Sequence, residues 1–201
     1  MASSQGVAVR DKDKVKLRPA PEDEARLLRR MTAGDRRAFE QLYRVYHPRL
    51  TRFLSNLVRR PEVVEEVLND TLIAVWRKPD SFNGGSKVST WIFAIAYRKA
   101  LRARSKLDEP VEDKDAEDRP SEEPTPEQRL GAGQVQKAVL DAMEALSPDH
   151  RTVIDLTYFH EFGYREIAEI MACPVDTVKT RAFHARRNLK AALSGSLADW
   201  L

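Results

Sequence analysis

The chain has 201 residues, 42% of them hydrophobic and 32% charged, with 34 Lys+Arg against 31 Asp+Glu. Its net charge of +3 hides an asymmetry: residues 1–106 carry 23 basic and 12 acidic side chains, residues 107–128 carry 2 and 10, and residues 129–201 carry 9 of each. A basic block, an acidic stretch and a balanced tail argue against a compact enzyme with uniform solubilising charge. Cys173 is the one cysteine, which excludes an internal disulfide framework and a cysteine-built zinc site. The longest apolar run, residues 91–97, is too short to span a bilayer, and Met1-Ala2-Ser3-Ser4-Gln5 lacks a signal-peptide core. The chain is therefore expected to be soluble and cytoplasmic, without membrane insertion.

Residues 1–20 are polar, alternate Lys with Asp and read as a flexible extension. Pro21 suits the first position of a helix, and Glu22, Asp23 and Glu24 suit its N-terminus. Leu27, Leu28 and Met31 give that helix an apolar stripe; Gly34 ends it and Asp35 can cap the next. Phe39, Leu42, Tyr43 and Tyr46 continue the helical period up to Pro48, where a break or kink is expected. Leu50, Phe53, Leu54, Leu57 and Val58 follow, and Pro61 opens a helix whose inner face is Val63, Val64, Val67, Leu68, Leu72, Val75 and Trp76. After a loop over residues 80–89, Trp91, Ile92, Ile95 and Leu101 mark another helix. No stretch alternates with period two for long, so residues 21–106 read as a bundle of about four or five helices.

Residues 107–128 hold four prolines and ten acids with almost no large apolar side chains, the composition of an extended, flexible linker. A second helical unit, residues 129–201, is expected to start near Pro126-Glu127 and to bury Val135, Val139, Leu140, Met143 and Leu146. Pro148 begins a helix carrying Val153, Ile154, Leu156, Thr157 and Phe159. The fold class is thus all-α: two small helical domains joined by an acidic linker.

The most informative stretch lies in the second unit. Residues 164–171 form a short helix with Ile167, Ala168 and Met171 inward, and Ala168 is small where two helices must approach closely. A tight turn with Cys173 and Pro174 follows, then a helix with Asp176 near its start. That helix offers Lys179, Arg181, Arg186, Arg187 and Lys190, with no acid between Thr177 and Leu193, over a stripe of Val178, Ala182, Ala185 and Leu189. A basic run alone fits a solvated helix on a bundle surface. With the turn and the small inward residue it reads as a helix-turn-helix, whose second helix enters the DNA major groove.

In the first unit, Trp91, Phe93 and Tyr97 are interleaved with Arg98, Lys99, Arg102, Arg104 and Lys106. Aromatic faces stack on exposed bases while cations follow phosphates, so a single-strand surface fits; a core helix with solvated cations fits equally. The segment Ser81-Phe82-Asn83-Gly84-Gly85-Ser86-Lys87 lacks the spacing and the preceding strand of a phosphate loop. His47, His150, His160 and His184 are scattered, and His160-Glu161 has no second His at metal-binding spacing. No catalytic constellation, metal site or cofactor is expected, and Cys173 reads as packing.

Four segments in order, Ala38-Phe39-Glu40-Gln41-Leu42-Tyr43, residues 65–76, residues 89–96 and Thr177-Val178-Lys179-Thr180-Arg181, resemble the signatures of extracytoplasmic-function (ECF) RNA polymerase sigma factors of the sigma-70 family. The resemblance implies sigma domain two over residues 21–106 and sigma domain four over residues 129–201. It implies a non-enzymatic subunit that binds core RNA polymerase, directs promoter-specific initiation and helps melt the promoter. A stand-alone helix-turn-helix regulator is the alternative. The implied partners are core polymerase, through its β′ coiled coil and β flap, promoter DNA in double- and single-stranded form, and an anti-sigma protein. By the same resemblance Glu66, Asn69, Asp70 and Trp76 face polymerase; the family commonly has Asp, Gln and Glu at the first three positions, so Asn69 and Asp70 have a shorter reach. Phe82, Asn83, Lys87, Ser89, Trp91, Tyr97, Arg98 and Arg102 would capture and open the minus-ten element. Lys179, Thr180, Arg181, Phe183, His184 and Arg187 would read the minus-thirty-five element, with His184 where Arg is common and Asp176 where Gly is common. The acidic linker would run through the polymerase's nucleic-acid channel.

Overall fold

A computed structural model describes residues 21–58, 60–108 and 132–198. The described residues form eight α-helices and no strand: α1 (Pro21–Thr32), α2 (Arg36–Val58), α3 (Pro61–Arg77), α4 (Val88–Asp108), α5 (Ala132–Glu144), α6 (Pro148–Tyr158), α7 (Tyr164–Met171) and α8 (Val175–Ala198). A short 3₁₀ turn, Pro79–Ser81, follows α3. None of these helices is long and apolar enough to cross a membrane. The expected extension over residues 1–20, the linker and the proposed helix start at Pro126-Glu127 lie outside the described residues.

The local signals act as their chemistry requires. Gly34 adopts φ +85°, a left-handed conformation that costs a side chain-free residue little. Its N–H donates to the Met31 carbonyl and that of Asp35 to the Arg30 carbonyl, so the end of α1 is satisfied. Asp35 then caps α2 by accepting from the Arg37 and Ala38 N–H groups at 2.9 and 3.3 Å. Hydrogen bonds from the Arg30 guanidinium hold its carboxyl below the usual aspartate range. Ser147 caps α6 through the His150 N–H, and Arg151 donates to the Met143, Glu144 and Leu146 carbonyls at the end of α5.

Three expectations need correction. Pro48 does not break the chain: α2 runs through it without interruption. An interior proline costs a helix about 3 kcal/mol, but Pro48 itself is exposed. The fully buried Tyr46 and Leu50 on either side hold both halves of α2 in the core. Val139 and Leu140 do not belong to the buried face of α5; both are exposed, while Leu146 is buried and Met143 half-covered as expected, and Ala142 buries in addition. Phe159 is not carried within α6 but caps its C-terminal end, exposed, with its ring 4.0 Å from the Arg52 guanidinium.

The first four helices pack around Leu42, Leu50, Phe53, Leu72, Ile92 and Phe93. This core does not stop at the end of α4. It continues through Val153 and Leu156 of α6, Phe162, and Ile167 and Ile170 of α7 to Val178 and Ala182 of α8. Phe93 links the halves, with the Phe53, His160 and Phe162 rings 5.1, 4.8 and 5.0 Å from its own. Aromatic pairs at such separations add about 0.5–1.5 kcal/mol each beyond area burial. Polar ties cross the same seam: Asn56 of α2 donates to the Asp155 carboxylate of α6 at 2.8 Å, and His160 Nε2 lies 3.4 Å from its other oxygen.

Candidate nucleic-acid interface

The turn between α7 and α8 closes tightly because Ala172 takes φ +51°, bringing the Cys173 N–H to the Ala168 carbonyl at 3.0 Å. Ile167, Ala168, Ile170 and Met171 bury against Val178 and Ala182 of α8, as the apolar stripe requires. The opposite face of α8 is open. Lys179, Thr180 and Arg187 are exposed, Phe183 is 57% exposed, and His184 is half-buried with its ring 5.4 Å from Phe183 and 6.3 Å from His150. Lys179 pairs with Asp176 at 2.9 Å in full solvent, an interaction that competing anions can replace.

Not every cation of α8 faces out. Arg181 is half-buried in an ion pair with Asp149, and its Nη1 lies 3.8 Å from Cys173 Sγ. Arg186 donates to the Tyr164 hydroxyl at 3.0 Å, and hydrogen bonds with Tyr158 and then Tyr164 raise its guanidinium above the ordinary value. Both arginines tie α8 to neighbouring residues, but only Arg181 is drawn inward; Lys179, Arg186, Arg187 and Lys190 are exposed and carry the outward positive charge. The sign of a helix's charge was readable from the sequence; the partners that take two of its arginines were not.

The second surface lies on α4 and the loop before it. Gly84 has φ +75°, and the Gly85 N–H donates to Asn83 Oδ1 at 2.9 Å, forming a compact turn. Phe82 packs its ring 5.5 Å from Trp91, and both are half-buried. Asn83, Lys87, Arg98 and Arg102 are exposed and Ser89 is half-buried. Tyr97 differs, at 5% exposure. Burial, followed by the nearby Asp149 carboxylate, raises its phenol above the ordinary 10.0. Phe93, one of the interleaved aromatics, is entirely core.

A third, acidic surface is the outer face of α3. Glu66, Asn69 and Asp70 are exposed there, with Asp70 accepting from Lys99 of α4 at 3.0 Å. Trp76 is half-buried, its ring 5.0 Å from Phe39, so it supports this face as much as it contributes to it.

The first two surfaces meet at Glu166, whose contact across the seam sequence reasoning missed. One carboxylate oxygen accepts from the Gly163 N–H at 2.9 Å and closes the capping box of α7. The other accepts from Thr90 at 3.3 Å and pairs with Lys87 at 3.0 Å. Burial alone would raise the Glu166 pKa, but the Gly163 amide, Lys87 and Thr90 together bring it below its ordinary 4.5. The Gly-x-x-Glu spacing signals the cap; nothing in the local pattern signals partners 76 residues away. Around this contact Ser86, Lys87, Tyr164, Glu169 and Lys179 line a cleft of about 840 Å³.

Residues 42–109 match the family model described as Sigma-70 region 2, and residues 136–189 match Sigma-70, region 4. The chain is 31% identical over 174 residues to an ECF RNA polymerase sigma-E factor of Haemophilus influenzae, covering 82% of this chain and 92% of that protein. It is 29% identical over 188 residues to the RNA polymerase sigma-H factor of Pseudomonas aeruginosa, covering 89% and 97%. Among solved structures it resembles the sigma factor RpoE of Bartonella quintana, crystallised with the anti-sigma factor NepR. That match has TM-score 0.62 and 30% identity, over 78% of this chain and 96% of that one. CnrH, solved in complex with the cytosolic domain of CnrY, shares the fold at TM-score 0.63 and 22% identity, over 86% and 98%. Both region models in their order, an all-helical fold and relatives aligned over nearly their whole length place the chain in the extracytoplasmic-function group of the sigma-70 family.

Proposed function

We propose that this sigma factor recognises two promoter elements with two different surfaces and helps to separate the strands at the upstream edge of the transcription bubble. The observation that carries the reading is the pairing of an exposed, cationic recognition helix with a second basic helix whose aromatic residues sit beside a glycine turn. On α8, Lys179, Thr180, Phe183, His184 and Arg187 offer donors, an apolar ring and charge to the major groove of the minus-thirty-five element. Arg181 contributes there once Asp149 releases it. On α4 and its loop, Phe82, Asn83, Lys87 and Ser89 surround the place for an unstacked base of the minus-ten element. Trp91 and Tyr97 provide stacking faces, and Arg98 and Arg102 follow the backbone.

Extruding a base costs a few kcal/mol, and stacking on an aromatic returns about 1–3 kcal/mol per base. Strand opening therefore needs no hydrolysis, only surfaces that fit the open form better than the duplex. Glu66, Asn69 and Asp70, presented together on α3 with Trp76 behind them, would face the β′ coiled coil of core polymerase, and the second unit its β flap. Such a protein works in the cytoplasm, and an anti-sigma protein is an expected partner. A stand-alone regulator would have no use for the α3 surface.

The test is to add the purified chain to core polymerase with a promoter library and map the start sites. Defined starts that depend on the chain are expected. Tight DNA binding by the free protein, with no start site directed, would refute the proposal.

A further inference from the structure

We infer that Arg186 of α8, together with the Tyr158 and Tyr164 hydroxyls, is a phosphate-binding anchor beside the recognition face of the helix-turn-helix. It takes a single phosphodiester of promoter DNA and fixes the register of α8 on the duplex. It rests on the proposed assignment of α8 to the minus-thirty-five element, and it adds to that assignment three side chains that read no base.

The first support is electrostatic. Two cations of α8 are already paired with carboxylates of the protein, Arg181 with Asp149 and Lys179 with Asp176. Arg186 differs, because its partners are phenols: it donates to the Tyr164 hydroxyl at 3.0 Å and is hydrogen-bonded to Tyr158 as well. Neutral partners orient a guanidinium without cancelling its charge. A guanidinium carries five N–H donors in a rigid fork, so two phenol contacts leave donors for an anion. Each phenol oxygen that accepts from Arg186 keeps its own proton, which is free to be donated to the same anion. The outcome is a fixed fork flanked by two hydroxyl donors, a good match for the oxygens of a phosphodiester. The site is open to solvent: Arg186 is exposed, Tyr158 is 57% exposed and Tyr164 is half-buried.

The second support is dimensional. Arg186 lies two helical turns beyond Lys179, roughly 10 Å along α8 at about 1.5 Å per residue. A recognition helix contacts bases with its N-terminal residues, and the major groove is about 12 Å wide. A residue this far along has left the floor of the groove and stands at its wall, where the phosphates run. Tyr158 is the last residue of α6 and Tyr164 the first of α7, so both hydroxyls approach that wall from outside the recognition helix. Phosphate contacts carry no sequence information but set orientation and register. The anchor thereby fixes the depth at which Lys179, Thr180 and His184 meet the base edges. It also gives α6 and α7 a share in holding the duplex.

The test uses the full chain assembled with core polymerase on a promoter fragment. Single methylphosphonates, each removing the charge of one phosphate, are scanned through the minus-thirty-five duplex. One position that weakens wild-type binding, by about threefold to tenfold, is expected to have no effect on Arg186→Gln. The same variant should make the slope of log affinity against log salt concentration shallower by about 0.9. It should also weaken promoters with intact and altered minus-thirty-five sequences by the same factor, as a phosphate contact does and a base contact does not. Arg186→Lys should restore the slope but not the full affinity, because it keeps the charge and loses the fork. Tyr158→Phe combined with Tyr164→Phe keeps both rings; it should weaken binding about threefold to tenfold while leaving the salt slope and the urea midpoint as in the wild type. An unchanged slope in Arg186→Gln, or a methylphosphonate profile identical to that of the wild type, would reduce Arg186 to a tie between α7 and α8 and overturn the anchor. If the wild-type chain directed no start site with core polymerase, the proposed function would fail. The scan repeated on duplex with the free chain would then decide the anchor separately, the absence of any phosphate coupled to Arg186 overturning it.

Discussion

Helices α4 and α8 make an instructive pair. They have similar lengths, 21 and 24 residues, and both carry a run of cations. In α8 the buried stripe is narrow and small, Val178, Ala182 and Ala185, so more than half the helix surface is left for a partner. In α4 the stripe is broad and aromatic, with Ile92, Phe93, Ala96, Tyr97 and Ala100 all buried, and the helix packs on α2, α3 and α7 at once. Helix α8 thus keeps an open outer face, whereas α4 is a structural beam that leaves Arg98 and Arg102 in solvent, Trp91 half-buried and Tyr97 buried. Two basic amphipathic helices, almost alike on a helical wheel, are set apart by the volume of their inward side chains.

The widest way to break this contrast is Phe93→Ala. It removes the ring shared by both halves and should cost about 3–5 kcal/mol, seen as an earlier urea midpoint; Phe183→Ala on α8 should move that midpoint by less than about 0.5 kcal/mol. If the two variants unfolded alike, α4 would not be the beam. Next, Trp91→Ala should leave duplex binding nearly unchanged but weaken the open complex by about 1–3 kcal/mol, the range for one base–aromatic stack. Normal permanganate reactivity at the minus-ten element in the stably folded variant would remove Trp91 from its proposed place. A smaller effect is expected from Lys179→Ala: uniformly weaker promoter binding, with the slope of log affinity against log salt concentration shallower by about one. An unchanged slope would mean that Lys179 stays with Asp176 in the complex.

The smallest effect is electrostatic. Because the folded Glu166 pKa lies below its ordinary 4.5, its contribution is complete above that value and is lost as pH falls through the folded pKa. Carboxyl carbon shifts should place its midpoint below 4.5, and Lys87→Met should move it upward. A midpoint indifferent to Lys87 would mean that the ion pair is not formed in solution.

How far the sequence reached follows from the range of its signals. Caps and stops act within four residues, so Gly34, Asp35, Pro61 and Pro148 mark helix ends almost to the residue. Periodicity identified the stripes of α2, α3 and α8 because each packs against at least two other helices, so that a continuous inner face has to be covered. It misplaced Val139 and Leu140, since α5 rests mainly on one neighbour and an apolar residue there does not have to be covered. Pro48 misled because the helix penalty is local whereas the burial opposing it comes from the whole bundle. The exposed cations of α8 and the aromatic and basic residues of α4 were legible as charge and aromatic patterns. The contact between them was not, because a lone glutamate on a short helix carries no mark of what it meets across the fold.

The polar groups along the seam between α2 and α6 have a consequence of their own. Had Asn56, Asp155 and His160 been leucines, the apolar core that Phe53, Phe93, Phe162 and Ile167 carry from one half into the other would run through this stretch as well. Instead it meets a polar island. The Asn56–Asp155 hydrogen bond contributes only about 0.5–1.5 kcal/mol net, because water offers nearly the same bond to either side. Asp155 Oδ2 and His160 Nε2 are buried without a hydrogen-bond partner, so this spot holds the halves together less firmly than the rings beside it.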